Sequence, residues 1–427
     1  MLGWGRPLGL PHFFRPETMP RPPSTVVEQS AAFVQEVRTE LAWLLCHLDR
    51  PRALTLLADL ADVVARERGA ILTMEKSRAE MLTRTAAACS CAELQQIEQA
   101  LTALETARFV ASGSVPGLHL GCTEFRDRLA DRTLQLVEGE LADQGHGAPP
   151  VPYALVSMGS DGREEQTLVT DQDYLIVYAG EDDEHADQYF RLFSELLVER
   201  LSEVGFAKCT GDIMPSNPTW RGSLQQWKRR LMAIVRYEYE EYAKNLMDLI
   251  VLSDARFVAG DQKTAASLIE MIRDFEQSYF QVLWGMARQA TEMKVGLTMF
   301  GHLWTDREGE HRGQFNVKLL GWAPLVMNIR ILAVNSGLTA TNTLKRIAML
   351  EADRRLSRGN AAELEEAYHV LTRQRIQLQI SYLRGETDNT YFLDPVRLSA
   401  EEQEELRRAL ASIRDLQKVI STNFSTM

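Results

Sequence analysis

Two aspartates one residue apart, Asp171 and Asp173, stand at the head of the β-prone apolar run Tyr174 to Tyr178. Side chains alternate across a strand, so both carboxylates point to one face, with Cα atoms about 6.6 Å apart. At an effective dielectric near 20, two such charges repel by roughly 2.5 kcal/mol. A divalent cation offsets that repulsion. Hard Mg²⁺, with Mn²⁺ as an alternative, takes one or two carboxylates together with phosphate oxygens of a substrate. A pair of ions about 3.5–4 Å apart can activate an attacking oxygen and stabilise a leaving one. Asp171 and Asp173 are therefore the expected metal ligands and catalytic carboxylates.

A second β-prone run, Ala154 to Ser157, precedes them and leads into Gly159-Ser160. Gly159 lets backbone approach a phosphate with no Cβ in the way. Ser160 adds a hydroxyl and an N–H. A helix starting near Arg163 would turn its first amides toward the same anion. Arg163 adds a fixed charge suited to phosphate oxygens, and Gln166 and Thr170 are hydrogen-bonding supports. Gly159, Ser160, Arg163 and Gln166 are thus the candidate binders of a nucleoside triphosphate. Either half alone is weak, because a Gly-Ser turn is normally only a turn and an Asp-x-Asp strand end is normally solvated. Strand, Gly-Ser turn, helix start, Asp-x-Asp and strand in succession is far more specific.

The elements that position this stretch are mostly helical. Phe33, Val34, Val37, Leu41, Leu44, Leu45 and Leu48 follow a helix face that Pro51 ends. The next helix is expected over Leu54 to Ala87, interrupted near Gly69. Ser90 and Glu93 form a capping box for a third. This region reads as a helical bundle, with a coiled-coil partner surface as the alternative. A further helix runs from Cys122 to Asp143, and the Gly/Pro-rich segment from Gln144 marks a linker. The lone His146 there reads as an exposed loop residue.

Beyond Tyr178, Glu184 to Val204 is an amphipathic helix ended by Gly205. Phe206 to Met214 is expected as a third strand, and Ser223 to Val258 as mostly helix. The remainder is helical, interrupted by the polar Thr305 to Gln314 loop, and Ser399 with Glu402 caps the final helix. The fold class is α+β, predominantly helical: a small mixed sheet with helices, flanked by helical domains. The expected divisions are a disordered leader over 1–23, a helical region over 24–143, the nucleotide domain over 144–262 and a helical domain over 263–427.

The chain has 427 residues, 45% of them hydrophobic and 25% charged, enough for two or three globular domains. The net charge of -12 argues against general nucleic-acid binding, which needs a basic surface. It does not exclude a nucleotide, because local cations override the global sign. No apolar run approaches the roughly 18 residues of a membrane span, and the N-terminus has no signal-peptide core. Five sparse cysteines read as reduced thiols of a cytoplasmic protein.

The string Gly159-Ser160-x-Gly162-Arg163-x-Glu165-Gln166-Thr167-Leu168-x-Thr170-Asp171-Gln172-Asp173 resembles the polymerase-β-type nucleotidyltransferases. Within them it resembles a branch often fused to CBS modules and similar to the N-terminal part of PII-protein uridylyltransferase. Cys209 to Arg221, Asp254 to Asp261, and the region after Phe315 with Asp388-Asn389 resemble further segments of that branch, the last a helical substrate-binding domain. CBS modules are not recognisable, and an N-terminal helical segment stands in their place.

The resemblance implies transfer of UMP or AMP from a nucleoside triphosphate to a hydroxyl on a protein or small molecule. A PII-like regulator is the acceptor by resemblance only. A third carboxylate, often the base, usually completes such a site. Asp212, on the expected third strand, is the first choice, with Asp254 and Asp248 as alternatives. Asn217, Trp220 and Arg221 either line the nucleotide pocket or form a turn with a packed Trp. A nucleotide-binding regulatory module without turnover is the competing function, and a helical interaction protein a third.

Overall fold

The computed structural model describes residues 26–235 and 242–424. The expected leader over 1–23 lies outside the described residues. The chain divides into two units, Met1–Glu75 and Lys76–Met427. The first holds α1 (Val26–Cys46) and the start of α2 (Arg50–Ala87). Pro51 sits in the first turn of α2, where its missing N–H costs nothing, and α2 runs on through Gly69 without a break. The expected buried stripe of α1 is not found. Val34, Val37 and Leu44 are exposed, because no described element of this unit covers them.

The second unit opens with α3 (Cys91–Ser112) and α4 (Val115–Asp143). Ser90 caps α3 as expected: the Glu93 N–H donates to Ser90 Oγ, and Glu93 in turn accepts the Cys89 N–H at 2.7 Å. A four-stranded sheet follows, built from β1 (Tyr153–Ser157), β2 (Tyr174–Tyr178), β3 (Arg221–Ser223) and β4 (Arg256–Gly260). Its spatial order is β3-β2-β1-β4. β1 is antiparallel to both β2 and β4, whereas β2 and β3 are parallel, so the sheet is mixed as expected. Both central strands are buried along their whole length, which is why they read as continuous apolar runs.

Between the strands lie α5 (Gly159–Gly162), α6 (Glu184–Val204), α7 (Leu224–Val235) and α8 (Tyr242–Leu252). α3 and α4 pack on α6, and α4 also reaches β4. Phe206 to Met214 is not a strand. It is a turned segment that meets the approach to β2 at an isolated Asp171–Ala207 bridge and accepts the Tyr174 N–H at the Ile213 carbonyl at 3.3 Å, and Asp212 with φ +56° interrupts any extended run. The parallel edge position goes instead to Arg221–Ser223. β4 lies inside the stretch expected as helix: α8 stops at Leu252, and the Phe-Val-Ala run then extends along β1.

The remaining elements are helical. They are α9 (Gln262–Ser278), α10 (Phe280–Glu292), α11 (Ala323–Asn335), α12 (Thr343–Ala352), α13 (Arg358–Leu383) and α14 (Ala400–Phe424), with a two-residue pair β5 (Phe315–Asn316) and β6 (Phe392–Leu393). A π-helical turn, Lys318–Trp322, leads into α11. Ser399 and Glu402 cap α14 reciprocally at 2.8 and 3.1 Å, and its Leu406, Leu410, Ile413, Leu416, Ile420 stripe is buried. Among the described residues no helix is long and apolar enough to cross a membrane.

Candidate active site

Gln172 explains why Asp171 and Asp173 share a face. Its side chain is buried against the end of α6, where Nε2 donates to the carbonyls of Val198 at 3.1 Å and Phe206 at 3.0 Å. Its N–H donates to the Ala207 carbonyl at 2.8 Å. With Gln172 anchored there, alternation leaves the two carboxylates half-buried on the opposite face.

Gly159 closes the site from the β1 side. The Met158 N–H donates to the Asp173 carbonyl at 2.8 Å. Gly159 then turns with φ +58°, and a Cβ on it would lie 2.3 Å from Asp173 Oδ2. Backbone conformation and the neighbouring carboxylate thus both demand glycine. The helix expected near Arg163 is only the single turn α5, with Ser160 half-buried in it.

Cys209, which opens one of the segments resembling the nucleotidyltransferase branch, is not among the expected site residues. It sits in the turn after α6, and one ligand atom each from Asp171, Asp173 and Cys209 lie within 4.8 Å of one another. Burial, then the charge of Asp171, push the Asp173 carboxyl up to about 7. Burial, then Asp173, push the Cys209 thiol up to about 11, so it keeps its proton at neutral pH. A protonated thiol is a poor ligand. The donors that could hold a cation are the two hard carboxylates, and a divalent ion would relieve the repulsion that holds the Asp173 proton on.

Residues 77–241, which carry the Gly159 turn and both aspartates, match the family described as Putative nucleotidyltransferase DUF294. Residues 280–424, from α10 to the end of α14, match its Putative nucleotidyltransferase substrate binding domain. The chain belongs to this nucleotidyltransferase family. No curated protein matches it.

Within this family member, Arg163 does not stand free beside the turn. It is buried, donating from Nε to Glu165 at 2.8 Å and from Nη1 to Asp254 at 2.6 Å. Asp254 also receives Nε of Arg330 at 3.1 Å, a second bond from Arg330 Nη2, and Nη1 of Arg346 at 3.0 Å. Burial alone would raise its carboxyl, but Arg330, Arg163 and Arg346 outweigh that and hold it down at about 2. Glu165 meanwhile accepts the Thr343 N–H at 2.6 Å. The motif arginine and Glu165 therefore join the nucleotidyltransferase domain to α11 and α12 of the substrate-binding domain. Asp254 is the hub of that junction and does not join the Asp171–Asp173 group.

Gln166 is likewise structural in its contacts. Its Oε1 accepts from Arg126 Nη1 at 3.0 Å, and its carbonyl lies 2.8 Å from His119 Nδ1. Arg126 also donates to the carbonyls of Thr167 and Leu168. α4 thereby fixes the backbone that leads into Asp171. Thr170 is half-buried, its hydroxyl 3.3 Å from the Asp171 carbonyl.

Asp212 is exposed on its turn, and its Oδ2 accepts from Asn217 Nδ2 at 2.9 Å. It is not in the Asp171–Asp173–Cys209 group, because the strand expected to aim it there is absent. Asp248 lies within α8. Asn217 also caps the turn before β3 by accepting the Thr219 N–H, Trp220 is buried, and Arg221 donates to the Pro215 and Ser216 carbonyls. Of the two readings of that segment, these contacts are those of a turn with a packed Trp.

Proposed function

We propose that this chain is a cytoplasmic, Mg²⁺-dependent enzyme that moves UMP or AMP from a nucleoside triphosphate to a hydroxyl on a protein or small molecule. The acceptor oxygen bonds to the α-phosphorus, the bond from that phosphorus to the bridging oxygen breaks, the hydroxyl proton is lost, and pyrophosphate leaves. The observation that carries this reading is the placement of Asp171 and Asp173 together in the segment that enters β2, against the Gly159 turn. A bound metal would neutralise polyphosphate charge and lower the pKa of the attacking hydroxyl. Asp171 and Asp173 would hold it, and Gly159 and Ser160 would take phosphate. Gln172 and the Arg126 contacts keep the backbone of the site from shifting. A PII-like regulator is the acceptor that sequence resemblance suggests.

The test is pyrophosphate release with each of the four triphosphates and Mg²⁺, with candidate acceptors present. Asp171→Asn/Asp173→Asn should abolish it, and equal rates for variant and parent would overturn the catalytic role. A binding module without turnover is the second reading. It draws on Asp212 standing outside the carboxylate pair, and predicts triphosphate binding by calorimetry with no pyrophosphate from the parent protein.

A further inference from the structure

Arg163 has its charge fully engaged, yet a second arginine near the same aspartates does not. Arg375, on α13, is only 6% exposed. Among the described residues neither its Nε nor its Nη1 has a hydrogen-bond partner. A buried guanidinium left like this is costly, and proteins keep such groups where something comes to pair them.

Its surroundings place it near the site. Gln379, one helical turn further along α13 and on the same face, brackets the Val169 backbone through both amide atoms at 3.4 Å. Val169 lies two residues before Asp171. The Trp322 ring of the π-helical turn has Arg163 Cζ at 5.2 Å and Arg375 Cζ at 4.4 Å from its centroid, so both guanidinium groups pack against one ring. Asp171 is among the charges acting on Arg375. Lys318, four residues before Trp322, is half-buried, with Nζ 4.7 Å from the Tyr391 ring centroid. Its charge acts on Asp173.

We propose that Arg375, with Lys318, is a polyphosphate ligand that the substrate-binding domain presents to the Asp171–Asp173 site, engaging the β- and γ-phosphates of the nucleoside triphosphate. A planar guanidinium fork flanked by an aromatic ring suits bidentate phosphate contact, and a lysine adds a point charge. The inference rests on the nucleotidyl-transfer reading of the carboxylate pair. It differs from that reading in naming which cations meet the anion and which domain supplies them.

Inorganic tripolyphosphate is the probe, used with the full chain. Arg375→Met keeps the length and apolar contact with Trp322 but removes the charge. Calorimetry should show at least about a tenfold loss of tripolyphosphate affinity, and the KM for the triphosphate should rise. Without polyphosphate the variant should melt no lower than the parent, because an unpaired buried charge has been removed. With polyphosphate the parent should gain melting temperature and the variant should not. Arg375→Lys should fall between them, and Lys318→Met should lose affinity with its fold intact.

Unchanged tripolyphosphate affinity in Arg375→Met would overturn the proposal. So would a lower melting point with the polyphosphate response preserved, which marks a packing role. Should Arg375→Met not fold, unchanged affinity in Lys318→Met and Arg375→Lys would overturn it instead. The aspartate double variant separates this from the underlying reading. If transfer is wrong, no triphosphate is turned over, while the Arg375 effect on tripolyphosphate is still measured.

Discussion

Replacing Asp254 with asparagine removes the negative charge that three buried guanidinium groups share. Arg163 keeps Glu165 as a second partner, but Arg330 and Arg346 find no other carboxylate at ion-pair distance among the described residues. Removing one member of a buried ion pair typically costs about 3–5 kcal/mol, because the remaining charge is stranded. The depressed carboxyl gives a lower bound. Held at about 2 against an unfolded value near 3.9, it contributes about 2.6 kcal/mol at neutral pH. That share is present above the unfolded pKa and is lost as pH falls from about 4 toward 2. Spread over the unit Lys76–Met427 at roughly 2 cal/mol/K per residue, the larger figure is a fall in melting temperature of about 4–7 °C. Differential scanning calorimetry of Asp254→Asn reads it directly. The reasoning is refuted if the melting point holds while pyrophosphate release collapses, since Asp254 would then act in the chemistry and not at the domain junction.

Two further outcomes follow from the same contacts. Glu276 on α9 is buried with Oε1 unpartnered, and burial foremost, with Asp254 adding to it, pushes its carboxyl up to about 8. Its folded pKa lies above its unfolded one, so stability should fall as pH rises from about 4.5 to about 8, at roughly 1 kcal/mol or slightly more per pH unit. Glu276→Gln should flatten that slope in urea titrations across the range, and an unaltered slope would refute the assignment. Asp212→Asn should retain its turn through Asn217 and change kcat less than about tenfold. A loss beyond a hundredfold, the scale of a removed general base, would return Asp212 to the chemistry.

What the sequence could reveal of this site was what depends on neighbours in the chain. Asp171 and Asp173 share a face because strands alternate, and Gly159 turns because nothing else fits beside Asp173. Both facts are local. The caps at Ser90 and Ser399 are local too, and were legible for that reason. The third strand was not. Phe206 to Met214 has strand-like residues, but the positive φ at Asp212 breaks the run. The three-residue β3 is too short to carry a pattern of its own. β4 was hidden because its five residues follow directly on a helix.

Arg163 shows the deeper limit. An arginine three residues after a Gly-Ser turn reads the same whether it faces a phosphate or a buried carboxylate. Here its decisive partner, Asp254, lies 91 residues away in the chain. Arg375 is the converse: on α13 it looks like one more charged helix residue, and only the fold reveals that its Nε and Nη1 are buried without a hydrogen-bond partner. A cation already neutralised by two carboxylates has little field left for an incoming polyphosphate, whereas an unpaired one in a low-dielectric site has nearly all of it. The two arginines flank the same Trp322 ring. The one in the nucleotidyltransferase domain therefore holds the junction rigid, and the one in the substrate-binding domain is left able to respond to the anion. On the proposed assignment neither domain alone would hold the polyphosphate, and the Asp254 junction ties α11 and α12 to the motif arginine.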